Sequence, residues 1–201
     1  MDLDGRTYAV KKFSYFSSED PADLRFAHES AWARIYEYPF ALAEIRAANL
    51  ERPHIHNCAW GQTEIATVFK AWLDLSYENI VHSDARPSSL CRTAIWDITL
   101  PSSEAFHDRF DVVLNVSNLE QTASDHVEVI KNHLVQLKKG GRFIATFGEP
   151  GFQMAAVERF LDERVVTPQS RLTPAASRLA DGAAPPTTEA GRGYLVIERV
   201  G

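Results

Sequence analysis

Two acidic residues carry the first chemical signal in this sequence. Asp84 closes the strand-like segment 79–84 and Asp97 follows the segment 92–96, so each carboxylate stands where an extended segment ends. In an open α/β sheet, ligands bind beyond the carboxyl ends of the strands. A carboxylate at the first such end can accept hydrogen bonds from both hydroxyls of a ribose. One at the next can accept from the amino group of an adenine while the following amide, at Ile98, donates to the ring. Either acid alone could equally cap a turn. Two of them at successive strand ends, behind a strand, turn and helix over 54–73, favour a crevice shaped for an adenosine.

Other residue groups admit chemistry less readily. His54, His56 and Cys58 alternate, so on a strand they share one side and could ligate zinc or iron. A buried strand running into a ligand loop explains the same residues, and no metal is expected. Cys58 as a nucleophile lacks the neighbouring positive charge that lowers a thiol pKa. Trp32, Tyr36, Tyr38 and Phe40 either wall a substrate pocket or fill core.

The elements that must hold these groups follow from apolar spacing. Runs 110–116 and 142–147 read as buried strands, and Val127, Ile130, Leu134 and Leu137 between them recur at helical spacing, with Ser124 as cap and Gly140 as stop. Strand, crossover helix and strand make a parallel pair. Upstream, Asp20 and Pro21 begin a helix to about 34, Tyr38-Pro39 breaks the pattern, and a second helix from Phe40 ends near 51–53. A strand over 54–58 leads through the turn 59–63 into a helix bearing Ile65, Val68, Phe69, Trp72 and Leu73. Downstream come a helix over 152–163, a sixth strand over 165–172, a long loop over 173–193 and a last strand over 194–200. The aromatic arm 1–17 must pack somewhere. The chain therefore divides into an N-terminal arm with helices, 1–53, and a Rossmann-like domain, 54–201, forming one structural unit.

Composition narrows the partners. With 201 residues, 45% hydrophobic and 24% charged, one cored domain is affordable and two are cramped. A formal charge of −6 and scattered basic residues argue against nucleic acid. Two distant cysteines suit a reduced compartment. The opening residues form no basic and apolar leader, and no run reaches the ~20 apolar residues of a membrane span, so a soluble cytoplasmic protein without membrane contact is expected.

Gly61-Gln-Thr-Glu-Ile65, Ile80-Val-His-Ser-Asp84, Asp97, Val116-Ser-Asn-Leu-Glu-Gln121 and Leu137-Lys-Lys-Gly-Gly-Arg-Phe143 resemble the class I S-adenosylmethionine-dependent methyltransferases over 36–147 and the last strand. The resemblance implies an α/β Rossmann-like three-layer sandwich with a seven-stranded, mostly parallel sheet whose last strand is antiparallel. It implies S-adenosylmethionine as cofactor, held by Asn57, Ala59 and Gly61 at the family's glycine positions and by Asp84, Asp97, Ile98 and Ser117. The expected acid before those glycines is replaced by Ile55 or His56, and Gln121 stands where the family commonly has His. The implied activity is methyl transfer to an oxygen or nitrogen of a small molecule or sugar. A sulfonium is a good leaving group, so positioning plus one proton acceptor suffices, with Glu120 the first candidate and His126 the second. The alternative is a non-catalytic accessory or binding subunit, which the replaced glycines and Gln121 favour and the retained acids oppose. A nicotinamide-dependent dehydrogenase explains Asp84 but wants a Gly-x-Gly-x-x-Gly turn that is absent. The aromatic arm makes a homodimer plausible.

Overall fold

The computed structural model describes residue 3 and residues 5–28, 33–149, 151–164 and 191–201. Among these, strands β1 (Tyr8–Tyr15), β2 (Ile55–Cys58), β3 (Ile80–Asp84), β4 (Ala94–Ile95), β5 (Phe110–Val116), β6 (Leu137–Gly148) and β7 (Arg192–Arg199) form one seven-stranded sheet in the order β1-β7-β6-β5-β2-β3-β4. β7 runs antiparallel to both of its neighbours, and every other pairing is parallel. The helices are α1 (Arg34–Ala47), α2 (Glu64–Ser76), α3 (His126–Leu134) and α4 (Met154–Arg164). This is the Rossmann-like, mostly parallel architecture the sequence implied.

Strand side chains alternate between two apolar layers. Phe110 and Val113 of β5, Phe143, Ala145 and Phe147 of β6, and Leu195 and Ile197 of β7 join α3 and α4 through Val129, Ile130, Leu134, Val157 and Leu161. The intervening Val112, Leu114, Ile144 and Val196 face α1 and α2 through Tyr38, Ala41, Leu42, Ile45, Ile65, Phe69 and Leu73. Both faces are covered, so the central strands read as continuous apolar runs, which is what made them visible in sequence.

The N-terminal arm is an edge strand. β1 pairs with β7, and a register shift between Val10 and Lys12 resets its alternation so that Tyr8, Val10, Phe13 and Tyr15 all enter one core layer. Without the bulge, Phe13 and Lys12 would exchange faces; with it, Lys12 lies on the opposite face and pairs with Glu44 of α1 at 2.5 Å. The expected strand over 165–172, Trp32, and the expected loop as far as 190 lie outside the described residues; residues 192 and 193 belong to β7 rather than to a loop.

Several helix boundaries are corrected. Asp20 accepts from the Ser17 amide at 2.6 Å and closes a turn, so no helix starts there; a short 3-10 turn at Leu24–Phe26 follows, capped by Asp23. Pro39 does not break the chain but lies inside α1. Its missing N–H would leave the Ile35 carbonyl bare, and the Asp23 amide donates there at 2.8 Å instead. α3 is capped by Asp125, one residue after the expected Ser124, and stops at Leu134 because Leu137 already pairs with Phe110 in the sheet. Gly140, at φ 81, bulges β6 instead of ending a helix.

Asp108, just before β5, ties the start of β1 and the end of β7 to the centre. Its carboxylate accepts from Arg6 at 2.9 Å, near the start of β1, and from Arg199 at the end of β7. The Arg6 guanidinium, helped by Arg199, lowers its pKa from the model-compound value of 3.8 to about 2. A depressed carboxylate stabilises the fold above the unfolded value and loses that contribution as pH falls through the folded one. Asp108→Asn, which keeps a residue tolerant of the φ 54 backbone, is expected to lower the thermal midpoint by a few degrees at neutral pH, about 1 kcal/mol for a half-exposed cluster. The difference from the parent should vanish between pH 3.8 and about 2; a gap that persists there refutes the assignment.

Candidate functional site

The chain leaves β2 toward β3 and β4 on one side and returns to β5, β6 and β7 on the other, so the carboxyl ends of β2 and β5 flank the point where strand order reverses. That is where an open α/β sheet opens a crevice. The residues beyond β2 take unusual backbone: Ala59 at φ 48, Gly61 at φ 85 and Gln62 at φ 49 are left-handed. Only Gly61 adopts this without steric cost. Asn118, beyond β5, holds the turn, its Nδ2 donating to the Ala59 carbonyl at 2.6 Å and to the Val116 carbonyl at 2.8 Å. The helix that follows starts cleanly because the Thr63 hydroxyl accepts from the Ala66 amide at 3.3 Å.

Asn57 lies in β2, inside the expected strand 54–58, although the resemblance set it at the first glycine position of the cofactor turn. It pairs in register with His82, its Nδ2 donating to His82 Nδ1 at 3.1 Å, and the left-handed positions begin two residues later.

β3 brings Asp84 to the crevice. Its Oδ2 accepts from the Gly61 amide at 3.1 Å and its Oδ1 from the Arg86 amide at 3.2 Å, one bond on each oxygen, so each keeps a lone pair for a further donor. The Trp96 amide donates to the Asp84 carbonyl at 3.0 Å and thereby brings Asp97 to the same edge. Both bonds to Asp97, from the Thr99 amide at 2.9 Å and hydroxyl at 2.8 Å, fall on Oδ1. Ile98 is buried, its carbonyl accepting from Asn132 at 3.2 Å, and its amide serves no backbone carbonyl among the described residues. Trp60, inside the turn, buries an indole Nε1 with no acceptor. An orphaned donor between two left-handed residues, beside acids with spare acceptor capacity, fits a ligand carrying both acceptors and hydroxyls.

The acceptor end is charged and buried. Ser117, left-handed at φ 57, donates to Glu120 Oε1 at 3.1 Å, and Arg192 Nη1 reaches the Ser117 hydroxyl and Glu120 Oε1 at 2.6 Å each. Glu37, fully buried on α1, pairs with Arg34 and lies 3.6 Å from Arg192 Nη1. Burial pushes the Glu120 pKa up, the Glu37 carboxylate adds to the rise, and Arg192 opposes it. Gln121 is exposed, its amide donating to the Ser117 carbonyl at 3.2 Å.

His126 is corrected as a proton acceptor. It is fully buried, its Nδ1 accepts from the Gln153 amide at 3.0 Å and its Nε2 donates to the Thr122 carbonyl at 3.3 Å. Neither ring nitrogen is left for a substrate.

His56 is sealed in the same way, Nδ1 against Gln136 Oε1 at 2.6 Å and Nε2 against the Ser83 hydroxyl at 2.8 Å. Burial pushes the Cys58 thiol up, the opposite of an activated nucleophile. Among the described residues no group of three or more His, Cys, Asp or Glu could hold a metal ion. Of the aromatic residues, Tyr38 stacks on Phe69 at 4.0 Å in the core, while Tyr36 and Phe40 pack around Phe16.

Sequence reasoning missed Asn118, Glu37, Arg34 and Arg192. An Asn two residues past an apolar strand is a signal for Asn118, and an acid among the core positions of α1 is one for Glu37. Arg192 carries none, because its partners come from other elements.

Two measurements test this geometry. Ala59→Gly should raise stability by about 1 kcal/mol, since an L side chain in left-handed backbone costs that much; a loss in chemical denaturation would refute the strain. Burial pushes the His56 pKa down from 6.5 to about 3 and that of His133 to about 4, so both stay neutral in the fold and protonate on unfolding. Stability should therefore fall as pH drops below 6.5, by roughly 2 to 3 kcal/mol per pH unit with both engaged, read from urea midpoints. Midpoints flat over that window would contradict it.

No family model matches the sequence, and no curated protein is detectably similar to it. Solved structures are. The 1,6-didemethyltoxoflavin-N1-methyltransferase of Burkholderia thailandensis, with bound 1,6-didemethyltoxoflavin and S-adenosylhomocysteine, matches at 13% identity and TM-score 0.56, over 82% of this chain and 79% of that one. A TehB-like S-adenosylmethionine-dependent methyltransferase from Corynebacterium glutamicum matches at 14% identity and TM-score 0.51, over 79% and 87%. A branched-chain polyamine synthase mutein from Thermus thermophilus, in complex with N4-aminopropylspermidine and 5'-methylthioadenosine, matches at 11% identity and TM-score 0.55, over 82% of this chain but 56% of that one. At such identities the likeness is one of fold.

Proposed function

We propose that this chain, which has the fold of the class I S-adenosylmethionine-dependent methyltransferases, binds S-adenosylmethionine and transfers its methyl group to an oxygen or nitrogen of a small molecule or sugar. One observation carries the reading: Asp84 and Asp97, tied to one edge through the Trp96 amide, flank a left-handed turn at the reversal of strand order. Asp84 accepts from the ribose hydroxyls through its remaining lone pairs. Asp97 Oδ2 accepts from the adenine amino group, and the Ile98 amide donates to the ring. The turn at Ala59 and Gly61 and the Trp60 indole line the amino-acid part, with Ser117 beside it at the end of β5.

The bound cofactor supplies an electrophilic methyl on a sulfonium, which leaves without protonation. What remains for the chain is alignment and a proton acceptor. Glu120 is the proton acceptor, because it lies at the carboxyl edge and burial raises its pKa toward the working range of a base. Two free cysteines, Cys58 buried, accord with a reduced cytoplasmic setting, and no helix among the described residues is long and apolar enough to cross a membrane.

Calorimetry with S-adenosylmethionine and S-adenosylhomocysteine tests this. Micromolar binding is expected, weakened by about tenfold or more in Asp84→Ala through loss of charge-assisted bonds. No heat at millimolar ligand would leave a non-catalytic accessory or binding subunit on the same fold.

A further inference from the structure

We infer that Glu37 and Glu120 form a subsite for an amine, so that the methyl acceptor is a nitrogen bearing hydrogens. The inference rests on the methyl-transfer reading for its chemistry, though not for its geometry. Glu37 Oε2 pairs with Arg34, while Oε1 is buried without a hydrogen-bond partner, 3.6 Å from Arg192 Nη1. Glu120 Oε1 accepts from Ser117 and Arg192, while Oε2 is buried without a partner. Two carboxylates near one guanidinium nitrogen thus each keep an oxygen without a hydrogen bond, Glu37 Oε1 meeting Arg192 only at ion-pair distance. Leaving a buried acceptor unmet is costly, and more so when it is charged. A structural ion-pair cluster gains nothing from that. A ligand with N–H donors removes the cost.

The number of hydrogens selects the ligand class. A hydroxyl carries one and can meet one oxygen, whereas an amine carries two or more on a single atom and can meet both. An anionic acceptor is disfavoured because both open positions are carboxylate oxygens. The place is also right. Ser117 and Glu120 follow β5 beside Asn118, which holds the turn after β2, and Arg192 opens β7 across from Gly148. A side chain at Gly148 would put its Cβ 2.8 Å from Arg192 Cζ, so the glycine keeps room for the guanidinium between the acids.

In the reaction, the nitrogen lone pair forms the new N–C bond as the C–S bond of the sulfonium breaks, the sulfur leaves as a thioether, and the proton released from nitrogen passes to Glu120. Glu37 holds a second N–H and fixes the lone pair toward the methyl. The raised Glu120 pKa agrees with this role.

The test uses the full chain labelled with 13C at glutamate carboxylates, titrated with n-butylamine, n-butanol and propane-1,2-diol, with and without S-adenosylhomocysteine. The amine should shift two carboxylate resonances, identified by their loss in Glu37→Gln and Glu120→Gln, and the alcohols should not. Calorimetric affinity for butylamine should fall about tenfold or more in each variant, while affinity for S-adenosylhomocysteine holds. Equal shifts with the diol, or none with the amine, overturn the subsite, and the unsubstituted chain decides this even where a variant fails to fold. Amine shifts without any S-adenosylhomocysteine binding would instead overturn methyl transfer and leave the amine site standing.

Discussion

Asn118 joins two strand ends that the chain itself does not connect. One amide group donates to the carbonyl of Ala59, beyond β2, and to that of Val116, closing β5. The bonded turn carries left-handed backbone at residues with side chains, a conformation that persists only when its surroundings over-determine it. Asp84 completes the restraint from the other side by accepting the Gly61 amide. The crevice at the reversal of strand order exists because these bonds replace the conformational freedom that glycines would have provided. The same restraint explains how Ala59 can stand at a glycine position without dissolving the site.

Around that crevice the sheet edge is polar in a way a packed core avoids. Arg34, Glu37, Glu120 and Arg192 put two acids and two bases into a buried cluster, with carboxylate oxygens left unbonded. Breaking such a pair costs more than its net contribution to stability, because the charge left behind has no water. By contrast, the buried imidazoles of His56, His126 and His133 have both ring nitrogens occupied. They act as rigid polar connectors between strands and helices.

The N-terminal segment shows how tertiary bonds reverse local preference. Pro39 disfavours a continuous helix, yet α1 runs through it because the Asp23 amide takes the carbonyl that proline leaves bare and because Tyr38 stacks on Phe69. The first strand, in turn, completes the sheet beside β7, and its bulge turns four large apolar or aromatic side chains into one layer. Neither feature lies within the range of a local pattern.

The sequence by itself determined the sheet and its strand ends. Strands buried on both faces tend to be near-continuous apolar runs, which exposes β5, β6 and β7; the crossover helix α3 shows in its spacing, and the short, more polar β2 and β3 show through the turn residues that bound them, which sets Asp84 at a carboxyl end and Asp97 just beyond the next strand. Only the tertiary structure decided which residues take the left-handed turn, that His126 is sealed inside, and that Glu37, Glu120 and Arg192 meet. Those outcomes depend on hydrogen bonds and ion pairs between residues as many as 155 positions apart. Local periodicity records which face of an element is buried and carries no trace of the partner that waits there.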